Sequence, residues 1–324
     1  MATPTSSLAT LRPDLASSFE EFDLAMNMRG FIAQRVMPVM NVASQAGTFG
    51  KIPIEELLKN KSVDRAPGGG YNRSNMKFTT ASYATVERGS EEAIDDREAQ
   101  MYADYIDAEM VAAMRAYNDV LMTQEQRVAA LLFNATTYAS YKTDITHEWD
   151  DAANATPIVN VEAAVRGVYD ETGIWPDTLI MNRKVFRNLR NCDEIIDRLK
   201  YQGFQDVRAG NITEQALSQV FDLPKIIVAG STKNTANEGQ SASLSQVWSD
   251  EYAMVCKTAT GNDMKEPCIG RTFHWSEDGS QPLGTVETYR DESVRSDIVR
   301  VRHDTDEQLL YIQMGHLLTN VTTI

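Results

Sequence analysis

The chain is poor in the residues that most catalytic and covalent arrangements require. Its 324 residues include three cysteines, Cys192, Cys256 and Cys268. An odd number at wide spacing argues against a disulfide framework and for buried, reduced thiols. The four histidines, His147, His274, His303 and His316, are dispersed. His147-Glu148 has no second histidine four residues on, so zinc-protease spacing is absent. No run approaches about 18 apolar residues, and the opening MATPTSSLATLRPDL lacks the charged-then-apolar layout of a signal peptide. The expectation is a protein made in a cytosol, with no membrane partner. Basic charge is short as well: 31 lysines and arginines face 46 acids, for a formal net charge of −15. That balance weighs against coating nucleic acid through a basic face, because phosphate contacts dominate such binding. It is compatible with a wall that merely encloses nucleic acid.

Motifs that specify a reaction are missing too. Gly68-Gly69-Gly70 is followed by Tyr-Asn-Arg, without the Gly-Lys-Ser/Thr ending of a phosphate-binding loop, and Gly47 and Gly50-Lys51 have the wrong spacing. No Gly-x-Gly-x-x-Gly follows a strand, and no Gly-x-Ser-x-Gly elbow occurs. Of the carboxylate clusters, Glu91-Glu92 and Asp95-Asp96 read as the first turns of a helix, where the dipole favours negative charge. Asp150-Asp151 reads as linker. Asp304, Asp306 and Glu307 read as a hairpin turn without calcium-loop spacing. Arg295, Arg300 and Arg302 read as ion-pairing or interface residues. No cofactor, no metal and no catalytic group is expected, and a chain of this size without one points to a structural role.

Helix breakers are absent where a helix needs them to be. No proline occurs between Pro67 and Pro157 and no glycine between Gly89 and Gly167. Tyr102, Ile106, Met110, Ala113, Tyr117, Leu121, Val128 and Leu131 recur at helical spacing, which predicts one helix over Glu91–Phe133, N-capped by Ser90 and about 60 Å long. Before it, residues 1–18 read as a loose arm, and Phe19–Val42 as a short amphipathic segment broken at Gly30 and Pro38. Thr48–Ile54 and Met76–Glu87 read as the two arms of a long, polar hairpin, broken at its tip by Pro67 and the three glycines. Such a hairpin is marginal alone and is expected to lie on something else. After a polar connector, Val161–Glu171 closed by Gly173, the strand Thr178–Met181, a helix capped by Asn182, the helix Glu214–Phe221 and the strand Ile226–Ala229 predict an α/β or α+β domain over residues 158–275. Gly230–Ser243 reads as a polar loop, with strands at Val247–Lys257 and Cys268–Trp275. Val286–Tyr289, Ile298–His303 and Leu309–Met314 read as strands with a turn at Asp304-Thr305-Asp306, and the resulting sheet is expected to cover the long helix.

This order of parts resembles the major capsid proteins of tailed double-stranded-DNA bacteriophages, the Hong Kong 97-like fold. Local phrases are similar as well: Tyr71–Met110 (YNRSNMKFTTASYATVERGSEEAIDDREAQMYADYIDAEM), Trp175-Pro176-Asp177 with the Asn182, Phe186, Leu189 helix, Phe221-Asp222-Leu223-Pro224, and a hairpin over Asp297–Leu310. The resemblance covers about residues 20–324 and rests on layout and loose phrases. It implies an α+β fold with an N-terminal arm (1–46), an extended β-hairpin loop (47–89), a spine helix and connector of the peripheral domain (90–157), an axial domain (158–275) and C-terminal strands of the peripheral domain (276–324). It further implies a non-enzymatic virion protein that assembles with itself, as pentamers and hexamers, into an icosahedral shell around double-stranded DNA, without sequence-specific binding. The loop would lie over an adjacent subunit, and Glu55, Glu56, Lys59, Arg65 and Arg73, charged and on the hairpin, are the expected inter-subunit contacts. Residues Gly230–Ser243 would approach a capsomer axis. The arm is short for a built-in scaffolding segment, so a separate scaffolding protein is expected, with a portal and a decoration protein as further partners. Some relatives crosslink through a loop lysine; Lys51, Lys59 and Lys61 lie in the loop, but no acidic catalyst or partner asparagine marks itself, and crosslinking is not expected. Two alternatives stay open: an encapsulin-type nanocompartment shell, and a cytosolic two-domain enzyme.

Overall fold

A computed structural model of the chain describes residues 10–11, 30–60, 63–65, 67–71, 73, 75, 77–102, 108–201, 212–237, 239–261, 264 and 266–323. Most of the expected arm, Lys61 and residues 103–107 of the expected helix lie outside the described residues. In chain order the elements are β1 (Thr10–Leu11), α1 (Ala33–Val36), β2 (Val39–Val42), β3 (Ala46–Lys51), α2 (Ile54–Leu57), β4 (Thr79–Ala84), β5 (Val86–Asp95), α3 (Asp96–Tyr102) and the long α4 (Ala108–Leu132). Then come β6 (Lys142–Asp144), α5 (Pro157–Thr172), β7 (Thr178–Asn182), α6 (Arg183–Leu189), α7 (Asp193–Tyr201), α8 (Glu214–Phe221), β8 (Lys225–Ala229), β9 (Thr232–Asn234) and β10 (Leu244–Gln246). The chain ends with β11 (Ala253–Cys256), β12 (Gly270–Trp275), β13 (Thr285–Asp291), β14 (Ser296–Leu309), a 3₁₀ turn at Ile312–Met314 and β15 (Gly315–Thr319).

The expected helix start is wrong in an instructive way. Ser90 caps nothing, and Glu91–Asp95 belong to β5, which pairs antiparallel with β14 over ten residues, Glu91 opposite Arg300 and Gly89 opposite Arg302. Arg88, Ser90, Glu92 and Ile94 turn inward while Glu91 and Ala93 face out, a period of two. The Glu91–Arg300 pair across the ladder favours the strand over a helix start. The helix that follows is 25 residues, about 37 Å at 1.5 Å per residue. The expected turn at Asp304-Thr305-Asp306, and with it the Asp297–Leu310 hairpin, is also replaced. β14 runs unbroken for 14 residues, and the chain reverses instead before it, where Arg295 sits at φ 52°. The acids at that point are engaged sideways: Asp306 accepts the Ala84 amide at 2.9 Å, and Glu307 takes both ends of the Arg127 guanidinium at 2.8 Å. Leu309–Met314 leaves the strand at Leu309 and closes in the 3₁₀ turn.

β14 is the spine of a six-stranded sheet in the order β1-β13-β14-β12-β2, with β5 on its other flank. The first half of α4 lies under this sheet, as expected: Ala112, Ala113, Ala116, Tyr117, Val120 and Leu121 pack on Val286, Val299 and Val301. The alanines let helix and sheet approach closely, and each larger buried side chain contributes about 1.5–3 kcal/mol. A second, five-stranded sheet runs β6-β15-β11-β7-β8. Its central strands β7 and β11 are buried throughout, as expected of strands covered on both faces. Helices α5 to α8 cover one face, through Val161, Val185, Leu189, Ile195 and Leu217. The end of α4 (Val128, Ala129, Leu132) covers the other with Ile32, Met37 and Trp248. The caps fall where the sequence marks them: Gly173 ends α5 at φ 69°, and the Asn182 side chain accepts the amides of Lys184 and Val185. The sheets interleave the sequence ranges, since β12 joins the six-stranded sheet while β15 and β6 join the five-stranded one.

Candidate functional site

The long hairpin exists, and its root is built to hold it. β3 and β4 pair antiparallel from Ala46 opposite Ala84 to Lys51 opposite Thr79. One face alternates inward: the Tyr83 ring stacks on Phe273 with centroids 4.8 Å apart, and Phe49 tilts against the same ring at 5.6 Å. Gly47 leaves room for this, because a Cβ there would lie 2.8 Å from the Tyr83 hydroxyl. Lys51 donates to the Leu310 carbonyl and sits 4.3 Å over the Tyr311 ring, and burial lowers its pKa. The Tyr311 hydroxyl in turn donates to the Ile52 carbonyl at 3.1 Å. Ile54 on α2 is buried among the residues under the five-stranded sheet. Beside this root lies a mostly apolar cavity of about 550 Å³, lined by Phe49, Ile54, Leu58, Ile174, Tyr311 and Met314 among others.

Beyond α2 the loop has little of its own to bury against. Leu58, Val63, Tyr71 and Phe78 are 60, 86, 74 and 66% exposed. These are four large apolar side chains exposed along one loop. The five charged residues expected to make the contact are not brought together as a cluster. Glu55 is exposed, whereas Glu56 turns inward and pairs with Lys59 at 3.7 Å. Arg65 donates to the Gly69 carbonyl at 2.6 Å and lies over the Tyr71 ring, so it folds the tip on itself. Arg73 is exposed. The sequence reading favoured charges and passed over the exposed apolar residues of the same loop. Their signal was present: Val63 and Phe78 stand in a polar stretch that offers apolar side chains little to pack against.

Arg290, Arg300 and Arg302, and the acids that face them, form ion pairs of the six-stranded sheet. Arg300 meets Glu91 at 2.5 Å and Glu287 at 3.7 Å, and Arg302 meets Asp278 at 2.5 Å and Glu287 at 2.9 Å. Arg290 grips both oxygens of Asp96, at 2.6 and 2.7 Å, and that bond holds the Asp96 carboxyl below its ordinary pKa. Among the described residues no group of three or more His, Cys, Asp or Glu is arranged to hold a metal ion. The three cysteines are free and buried, and burial pushes the Cys192 thiol up to about 12.

One feature escaped the sequence reading altogether. Gln124-Glu125-Gln126-Arg127 interrupts the apolar face of α4, and this interruption is where the two sheets meet. Glu125, 1% exposed, accepts the backbone amides of Ile32 and Ala33 and the Trp248 indole N–H at 2.6 Å. One carboxylate therefore joins α4, the segment entering α1 and the loop before β11. Burial raises its pKa against the pull of these donors. At the same point Gly30, φ 78°, touches Gly230 so closely that a Cβ would lie 2.5 Å from the Gly230 nitrogen. On the β14 side, His303, Thr305 and Glu307 continue the inward row of Val299 and Val301, with Arg127 above them. His274 is buried beside them, with its ring nitrogens 3.1 Å from the carbonyls of Asp304 and Ser280, to one of which the neutral ring donates. The layer is polar and buried, and it is only partly satisfied: among the described residues, both His303 ring nitrogens, Arg127 Nη1, Gln124 Nε2 and Asp304 Oδ1 have no hydrogen-bond partner.

Comparison with known proteins identifies the fold. No protein-family model matches the chain. The major capsid protein of Burkholderia phage BcepMu is 26% identical over 201 residues, 61% of this chain. The match spans 63% of that relative's length. The crystal structure of a phage-related protein from Bordetella bronchiseptica RB50 superposes with a TM-score of 0.72 at 21% identity, covering 97% of this chain and 98% of that one. The capsid structure of cyanophage P-SCSP1u superposes with a TM-score of 0.55 at 12% identity, covering 87% and 85%. The fold is the α+β Hong Kong 97-like capsid fold, as the layout of the sequence implied.

Proposed function

We propose that this chain is the major capsid protein of a tailed double-stranded-DNA bacteriophage. On this reading it assembles with itself, as pentamers and hexamers, into an icosahedral shell that encloses the genome. It acts as a structural protein and not as an enzyme. The hairpin carries the reading: a strand pair anchored by Phe49, Lys51 and Tyr83 holds Leu58, Val63, Tyr71 and Phe78 out from a fold shared with capsid subunits. Residues 47–89 are then the extended loop laid on an adjacent subunit, with Glu55, Glu56, Lys59, Arg65 and Arg73 flanking the apolar contact. Residues 158–275 are the axial domain, and α4 with the sheet centred on β14 is the peripheral domain. A symmetric shell repeats one such contact many times, so a modest contact per subunit suffices. A scaffolding protein, a portal and a decoration protein are the partners this reading calls for. Synthesis in the host cytoplasm and residence in the virion follow from it.

A nanocompartment shell enclosing an enzyme is the neighbouring reading. The phage capsid name carried by the sequence relative favours the head. Expression of the chain, alone and with its genomic neighbours, followed by electron microscopy, tests the proposal. Shells or capsomer rings support it, and particle diameter and cargo separate a DNA-filled head from a nanocompartment. A discrete monomer or dimer even with a scaffold present overturns it. Deleting residues 66–72 is expected to leave a folded subunit, by circular dichroism, that fails to form normal shells.

A further inference from the structure

The five-stranded sheet has one open crevice with a charge opposite to that of the chain as a whole. Strands β7 and β8 are parallel neighbours, in register from Thr178 opposite Lys225 to Asn182 opposite Ala229. Outside their carboxyl ends lies a polar crevice of about 540 Å³. There β7 runs directly into α6 and β8 into the loop before β9, so the crevice is walled by a helix on one side and a loop on the other. Arg183, Arg187, Asn188, Asn191, Thr232 and Gln246 contribute to its walls, and no acidic side chain lines it among the described residues. In a chain with 46 acids and 31 bases this is a local reversal of sign.

The cations differ in how they are held. Lys184 is paired with Asp250 at 2.5 Å on the rim. Arg183 and Arg187 are exposed and have no ion pair or hydrogen bond among the described residues. They stand four apart on α6, on one helix face with Cβ atoms about 6 Å apart. That spacing lets each guanidinium take one of two successive phosphates along a strand, and guanidinium is the side chain best shaped for bidentate phosphate binding. The amides of Asn188, Asn191 and Gln246 can donate or accept beside them. A single carboxylate from a neighbouring subunit would occupy one arginine and leave the other unmet.

We propose that this crevice binds phosphate groups, those of the enclosed nucleic acid, through Arg183 and Arg187. The inference rests on the shell reading for its ligand, but its test does not need a shell. The unassembled full-length chain is titrated against a short, labelled DNA duplex by fluorescence anisotropy, and compared with the double variant Arg183→Gln, Arg187→Gln. Two phosphate contacts predict a log–log salt slope of about −1.8, so binding should weaken about tenfold between about 50 and about 200 mM salt. The variant should bind at least about tenfold more weakly, with the slope reduced by about 1.8 to near zero. Its circular dichroism should be unchanged, since both arginines are exposed. Inorganic phosphate added at constant ionic strength separates the sources: displacement of the duplex shows that the free ion satisfies the same site, and no displacement assigns it to the polymer. Equal binding by wild type and variant, or no binding by wild type, overturns the proposal. So does a variant that keeps duplex binding but no longer forms shells, because the crevice is then a subunit contact. Shells scored separately by microscopy on the wild type keep failure of the shell reading distinct from failure of this one.

Discussion

Acidification should unlock the junction between the two sheets, and His303 is the residue that reports it. Its ring is fully buried on the inner face of β14, and burial, followed by the charge of Arg127, lowers its pKa to about 4, with Glu307 opposing. In the unfolded chain it titrates at the ordinary 6.5. Because the folded pKa lies below the unfolded one, the unfolded state takes up the proton first as pH falls. Stability is therefore intact above about pH 6.5 and declines progressively toward pH 4. A shift of about 2.5 units corresponds to about 3 kcal/mol once both states are protonated, and about 2 kcal/mol of it is lost by about pH 5. That is a large fraction of the 5–15 kcal/mol typical of a folded domain, taken here as about that range. The assay is equilibrium urea denaturation of the unassembled subunit at about pH 7.5 and about pH 5, for wild type and His303→Leu. Other groups titrate in both proteins, so the difference between the two pH dependences isolates the histidine. The variant should lose about 2 kcal/mol less than wild type on acidification. Parallel losses would refute the assignment of the acid sensitivity to this ring.

Removing the other half of the same layer should be more damaging than replacing it. Arg127→Met leaves the buried Glu307 carboxylate unpaired and should destabilise the subunit by about 3–5 kcal/mol, while adding Glu307→Leu should restore most of it. Urea midpoints of the two variants check this. Tyr83→Ala removes the stack on Phe273 and should release the root of the hairpin, read as faster proteolytic cleavage between β3 and β4 at little change in overall helicity. The stack itself is worth about 0.5–1.5 kcal/mol beyond the area it buries. The thiols of Cys192, Cys256 and Cys268 are buried with raised pKa values, so a thiol reagent at about pH 8 should find none of them in the native subunit and three after denaturation.

Much of the architecture was legible because it obeys short-range rules. Gly173 ends α5 and Asn182 caps α6 for reasons confined to a few residues, and the apolar runs of β7 and β8 need only the rule that strands covered on both faces are apolar. The errors have one cause. Glu91–Asp95 and Asp304–Glu307 are acidic, and locally acids suggest a helix start or a turn. In the fold both are answered from a distance, Glu91 by Arg300 and Glu307 by Arg127. Sequence separations of 209 and 180 residues put those partners beyond any local pattern. The ten-residue ladder between β5 and β14 then overrides the local preference.

The candidate site was legible in outline and not in its chemistry, and the reason is physical. A catalytic site is marked by groups whose mutual geometry the chain itself completes. An assembly surface is marked by groups the chain leaves incomplete. On the hairpin the charged residues proved partly self-satisfied, Glu56 with Lys59 and Arg65 with Gly69 and Tyr71, which lowers what a neighbour can gain from them. The apolar residues Val63 and Phe78 remain exposed, and water is their poorest partner. The same test separates the arginines elsewhere. Arg290, Arg300 and Arg302 are consumed within the six-stranded sheet, whereas Arg183 and Arg187 have no ion pair among the described residues. What a folded chain offers to a partner is the remainder after its own interactions are counted, and that remainder exists only once the chain has folded.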